Sequence, residues 1–412
     1  MLTKRKIILF ICCIGLIVPS SAQIFSTIKT VPPDNVFGNP IIRLNSNDQL
    51  HVSFDEITAD VVRSLEYRFM LYNADWTPSR LNPIQYITGP NRMPIDDIRF
   101  SLNTRMDYTH YQFTFPNERT QFLVSGNFKC EIYDVNDPET TLLTIHFFVT
   151  EEAVAINAKV IPPKRPEFRR SRQQLEFDVV SRAFDIIQPY QNLTVLVQQN
   201  GRTDNVRRVQ PQHAVGRTLR FADSDDLVFD GGNEFRNFDS KFLTFRGWGV
   251  ERISVQNHQY YIQVTPGESR ATRAFMDNGD LNGRYVVRAD RRQNPEIEAE
   301  YTIVEFSLFT TFQGEHRSVH LFGELTDWSI GEISEMEYDF VNNRYIKHLL
   351  LKQGFYDYQY VLFDKRTQTV DITWFEGSHQ FTKNNYTIYV YYRGPSDHHD
   401  RLIGATTVRA HE

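Results

Sequence analysis

Asn278, Asp280 and Asn282 place side-chain oxygens at alternate positions, and Gly283 follows them. That is the order in which the first half of an EF-hand loop offers ligands to calcium. The twelfth position of such a loop falls on Ala289, which has no carboxylate, and a strand pattern follows where a helix is needed. A tight hairpin turn suits the same residues better, since Asn282-Gly283 tolerates positive φ at both central positions. His398-His399-Asp400 is the densest histidine group, but it lies in a polar tail beyond Gly394-Pro395 and reads as a solvated loop. Acidic pairs such as Asp96-Asp97, or the run Asp223-Ser224-Asp225-Asp226, would serve a glycosidase only with two carboxylates about 5–10 Å apart across a cleft. No G-x-S-x-G, H-E-x-x-H, C-x-x-C or phosphate-binding glycine loop occurs. The residues therefore assign no catalytic group, no metal and no cofactor, and the chain reads as a non-enzyme.

The chain has 412 residues, with 31 Phe, 20 Tyr and 4 Trp against 3 Cys, and a formal charge of −6. That charge argues against a generally basic nucleic-acid binder. Lys4, Arg5 and Lys6 precede an apolar run from Ile7 to Val18, and Ser20 and Ala22 stand before a cut at Gln23. Residues 1–22 read as a secretory signal peptide, too short in its apolar part to span a bilayer. Its loss removes three basic residues and no acidic one, so the charge becomes −9, and Cys130 remains as the one thiol. An exported chain with one cysteine has no internal disulfide and must stand on its core. No later apolar run is long enough for membrane insertion.

Alternation of apolar and polar residues dominates, which predicts strands. Leu50, Val52 and Phe54 share one face, and Phe128, Cys130 and Ile132 share another, which makes Cys130 a core residue. Further strands are predicted at Glu66–Tyr72, Tyr111–Phe115, Thr144–Val149, Leu175–Val180, Leu193–Gln198, Leu243–Phe245, Tyr260–Val264, Tyr285–Val287, Ile303–Phe309, Tyr345–Leu351 and Tyr356–Phe363. Tyr386–Tyr392 carries aromatics on both faces, as a central strand covered on both sides would. Helical periodicity is confined to a possible turn within Asp55–Leu65. The segment Ile161–Arg172, with three Pro and five basic residues, reads as a semi-rigid connector, either a solvated interdomain edge or a basic contact patch. The fold class is all-β, as consecutive immunoglobulin-like or related β-sandwich modules. The expected division is a first β-sandwich at 23–152, a second β domain at 153–302 and an early-set immunoglobulin-like domain at 303–412.

Four stretches occur in order: Tyr67–Ser79, Ser101–Phe128, Gly231–Asp239 and Asp280–Val286. Together they resemble the plug protein of the type IX secretion system of Bacteroidetes-type bacteria. The resemblance implies a periplasmic protein without catalysis, lying at the inner face of the outer membrane. Its partner would be the very large outer-membrane β-barrel translocon, whose periplasmic opening it would occlude when no cargo is engaged. Trp76 with Pro78, in a predicted loop, is then a candidate anchor for that partner; the other reading is a Trp capping the first sandwich. Phe235 and Arg236 are candidates for a docking loop, or else parts of an internal bridge with Glu234. The third module, through Val319–Trp328 and Leu351–Tyr360, looks like an early-set immunoglobulin-like module as in glycogen-binding domains. There Trp328 and Trp374 would stack on sugar faces, which makes a periplasmic or surface carbohydrate-binding protein the alternative. Trp328 also has a structural use, packing on the sandwich end beyond Gly323.

Overall fold

The computed structural model describes residues 25–57, 62–290 and 293–411. The predicted signal peptide lies outside them, as do residues 58–61 of the stretch read as a possible helical turn. Asp55–Ile57 of that stretch is strand, as is Leu65.

Among the described residues the strands assemble into six sheets, and these pack face to face as three sandwiches. In the first, Phe25–Val31, Leu50–Ile57, Tyr108–Phe115 and Asp97–Phe100 form one sheet. Ile41–Arg43, Asp137–Thr150, Gly126–Asp134, Leu65–Tyr72 and Met93–Pro94 form the other. The alternation noted in the sequence puts Phe54, Phe69, Phe115, Phe128 and Phe147 between them, all essentially inaccessible. Each such ring contributes about 1.5–3 kcal/mol by leaving water. Cys130 lies in the same core, and burial pushes its thiol well above the ordinary range.

The second sandwich begins with Val154–Ile161, Arg172–Ser181, Thr218–Phe221, His213–Val215 and Val228–Asp230. Its facing sheet runs Arg207–Val209, Leu193–Gln199, Asn385–Tyr392, Arg401–Arg409. The last two strands of the chain thus complete a sandwich started more than 200 residues earlier, with Leu193 opposite Tyr392 and Gln199 opposite Tyr386. The third sandwich, from Arg236 to Asp371, is inserted between them. The expected division after residue 302 therefore does not follow the strand pairing. Both sandwiches have the same alternation, so a nested insertion leaves no break in composition along the chain.

Three local expectations also change. Leu243–Phe245 is not a strand: Asp239 N–H donates to the Trp248 carbonyl and closes residues 240–247 into a loop, held at its start by Ser240 N–H to the Gly354 carbonyl. Asn282 and Gly283 do have positive φ, 54° and 82°, but no hairpin forms, because Tyr285–Val287 pairs with Gly354–Tyr356 instead. The basic segment after Ile161 lies inside the second sandwich. Its Lys164 and Arg165 pair with Asp223 and Asp225 of the acidic run, and Arg172 pairs with Asp230, so three of its five cations are met by acids of the same sandwich.

Tyr386–Tyr392 shows why both its faces are aromatic. Tyr386, Ile388, Val390 and Tyr392 enter the core of the second sandwich. Tyr389 and Tyr391 face out of it and are covered by Ala74, Ile41 and Phe148 of the first.

Candidate functional site

The seam between the first and third sandwiches is built on Asp55. It follows Phe54 in the strand and so points away from the core that Phe54 enters. Its carboxylate accepts from His110 Nδ1 at 2.6 Å, from the Tyr301 hydroxyl at 2.6 Å and from Lys352 Nζ at 2.7 Å. Asp55 is 0% exposed and Lys352 1%. Lys352 also donates to the Glu296 carbonyl and lies 4.1 Å over the Tyr108 ring. Burial lowers its ammonium pKa, and Asp55 opposes that shift. Nearby, Lys29 pairs with Glu324 at 2.6 Å, Arg284 donates to Asn39 Oδ1 at 2.6 Å and to the Phe37 carbonyl, and Glu300 accepts from the backbone of Arg105 and Met106. None of these pairs was legible in the sequence, since partners 297 residues apart carry no shared periodicity.

The seam between the first and second sandwiches uses the tail read as solvated. His399 is buried with Nε2 at the Ser125 carbonyl, and Asp400 accepts from the Ala74 N–H at 3.0 Å. The Tyr391 hydroxyl donates to Asn127 Oδ1 at 2.6 Å, and Arg401 grips Glu151 through two nitrogens. Asn73–Ser79 leads out of this seam. Trp76, with φ of 61°, rests half-buried on the outer face of the sheet against His146 and Phe148, and Pro78 is exposed.

All three sandwiches line a cleft of about 2290 Å³. Trp76, His146, Tyr389, Arg208, Trp328 and Lys347 are on its walls. Water reaches His146 and Asp327, yet protein surrounds them. Burial and Lys129 hold His146 at about 4, and burial and Glu324 raise Asp327 to about 6. Trp328, with φ of 51°, packs against Phe322 and Phe235 and covers Gly283, where a Cβ would stand 2.3 Å from the indole. Trp374 is 43% exposed, sits beside Phe312 and Arg317, and is not among the cleft residues. The two tryptophans proposed for sugar stacking do not share the cleft.

The chain crosses twice between the second and third sandwiches, and Gly231–Asp239 is one crossing. Here the structure realises the internal bridge and not an exposed docking loop. Phe235 is 3% exposed, and Arg236 is paired with the fully buried Glu376, which also takes Arg270. Both side chains are committed internally because the crossing must satisfy its backbone away from water. Glu234 accepts from Lys383 N–H on the return crossing and shares a hydrogen bond with Asp280. Asp280 accepts from Phe235 N–H, and Asp357 from Leu281 and Gly283 N–H. The residues that resembled half a calcium loop thus donate backbone N–H groups to the Asp357 carboxylate, and Asp280 among them accepts one from Phe235. Burial and then Asp280 raise Glu234 to about 7 and Asp357 to about 8. Among the described residues no group of three or more His, Cys, Asp or Glu is arranged to hold a metal ion.

Chemically, the site is a recess with tied walls. Its strongest polar groups hold modules together. Residues 25–151 match the family model for the type 9 secretion system plug protein, first domain. Among solved structures, the chain is similar to a protein from Parabacteroides merdae described as hypothetical, known from a crystal structure at 2.30 Å resolution. The two are 33% identical with a TM-score of 0.91, over 94% of this chain and 98% of that one. No curated protein matches the sequence.

Proposed function

We propose that the chain is a plug protein of the type 9 secretion system, whose first-domain model matches residues 25–151, and that it is a periplasmic stopper seated on the periplasmic opening of the outer-membrane translocon barrel. The observation that carries this is the family match across the whole first sandwich. Its role is structural: it occludes the pore while no cargo is engaged and leaves when cargo is. The geometry supports such a part. A stopper must span a wide opening, and the three sandwiches are joined to one another through Asp55–Lys352, Glu151–Arg401 and the double crossing tied by Glu234 to Lys383 N–H. No helix among the described residues is long and apolar enough to cross a membrane. In this reading Trp76 and Pro78, at the end of the first sandwich, are partner contacts, whereas Phe235 and Arg236 act from inside the body.

Capture of the tagged protein from detergent-solubilised outer membranes tests the proposal. A large barrel protein is expected to co-purify under mild conditions, and its absence overturns docking. Deletion of the gene is expected to make the outer membrane leakier to large antibiotics, and unchanged permeability counts against occlusion.

A further inference from the structure

The loop that replaces the expected strand at Leu243–Phe245 presents aromatic rings to water. Phe245 is 54% and Trp248 70% exposed, and the half-buried Phe242 packs on Phe245 at 4.1 Å. Two glycines shape this presentation. A Cβ at Gly247 would stand 2.0 Å from the Asp239 carbonyl oxygen, and Gly249 has φ of 67°. Between them Trp248 is turned outward, with its indole Nε1 donating to Asn237 Oδ1 at 2.7 Å. The polar end of the ring is thereby fixed and satisfied, and its apolar part faces solvent.

Charge at this loop runs against that of the whole chain. Residues 240–249 contain Lys241 and Arg246 and no acid, within a chain of net charge −6. Lys241 lies 4.6 Å over the Phe242 ring, and the exposed Arg246 reaches the Glu251 carbonyl. Neither cation is ion-paired among the described residues. A sugar site would set free carboxylates or amides beside the ring to take hydroxyls. Here the adjacent amide, Asn237, is engaged at its oxygen by the indole and at its nitrogen by the Gly279 carbonyl. Exposed Trp and Phe interleaved with Lys and Arg match instead the interface of an anionic bilayer, where rings lie at headgroup level and cations beside phosphates.

We propose that loop 240–249 is an interfacial anchor for an anionic phospholipid surface, with Phe245 and Trp248 at headgroup depth and Lys241 and Arg246 on the phosphates. The contact is peripheral and adds no spanning segment. It rests on the periplasmic reading for which membrane is met, the inner leaflet of the outer membrane.

The test is flotation of the purified full chain with vesicles of phosphatidylethanolamine and phosphatidylglycerol, with phosphatidylcholine vesicles as comparison. Preferential binding to the anionic vesicles is expected. The double variant Phe245→Ser, Trp248→Ser is expected to lower partitioning by about tenfold or more, since two exposed rings no longer leave water. Lys241→Gln with Arg246→Gln is expected to lower it by about fivefold per charge and to abolish its salt dependence. Phe245, Arg246 and Trp248 are exposed and Lys241 is half-buried, and an unchanged melting transition verifies folding. Absence of wild-type flotation, or variants that float as well as wild type, overturns the proposal. So does a loop variant that loses barrel capture in detergent while vesicle binding is unchanged, because the loop would then face protein. Failed barrel capture with intact vesicle binding overturns the stopper reading and leaves the anchor standing.

Discussion

Replacing Lys352 by Met puts the seam between the first and third sandwiches under the sharpest strain. The variant leaves the Asp55 carboxylate, 0% exposed, with its His110 and Tyr301 partners but without its cation. Removing one member of a buried pair costs about 3–5 kcal/mol, because the remaining charge is left uncompensated. Asp55 keeps two hydrogen-bond partners, so the lower end, about 3 kcal/mol, is expected. Asp55→Asn strands the Lys352 ammonium with the Glu296 carbonyl and the Tyr108 face, and a similar cost is expected. The double variant removes both charges and is expected to be no worse than either single one, which gives a coupling of about 3 kcal/mol. Urea unfolding of the four proteins measures the cycle. Amide hydrogen exchange localises it: protection is expected to fall in Phe25–Val31 and Tyr301–Phe309 and to stay in Arg172–Ser181, which lies away from the seam. A Lys352→Met cost below about 1 kcal/mol, or a double variant whose cost equals the sum of the singles, refutes the claim that this pair locks the modules.

Other consequences are as direct. Glu234 and Asp357 have folded-state pKa values raised to about 7 and about 8, above their ordinary 4.5 and 3.8. These two carboxyls therefore hold more protons in the folded chain than in the unfolded one between about pH 4 and pH 8, so their contribution to stability is expected to fall as pH rises through that window. Asp357→Asn keeps an oxygen for the Leu281 and Gly283 N–H groups and is expected to flatten the profile of melting temperature against pH; an unchanged slope counts against it. Gly283→Ala places a Cβ 2.3 Å from the Trp328 indole at φ of 82° and is expected to cost more than about 2 kcal/mol in thermal unfolding. Tyr391→Phe removes the hydroxyl that donates to Asn127 at the seam of the first two sandwiches, and about 1–2 kcal/mol is expected, read by the same unfolding.

Alternation with period two is a local property, so the sequence alone determined which residues turn inward. Phe54, Phe128 and Cys130 are core residues for the reason their spacing implied, and the all-β class follows from it. The family resemblance was also legible, because its motifs are contiguous stretches, two of the four in the first sandwich that the family model matches. Partner choice is not local. Nothing near Tyr386–Tyr392 says that it pairs with Leu193–Gln199 across the inserted sandwich, since hydrogen bonds between strands carry no label of their mate. For the same reason the sequence left Phe235 and Arg236 open between surface and bridge. Only the return crossing, which brings Glu376 to Arg236, decides it. Trp248 went unnoticed beside the other tryptophans because exposure is decided by what fails to pack against a residue. Asp55 and Lys352 each look like an ordinary strand charge until the tertiary structure takes both out of water and leaves them no better partner than each other.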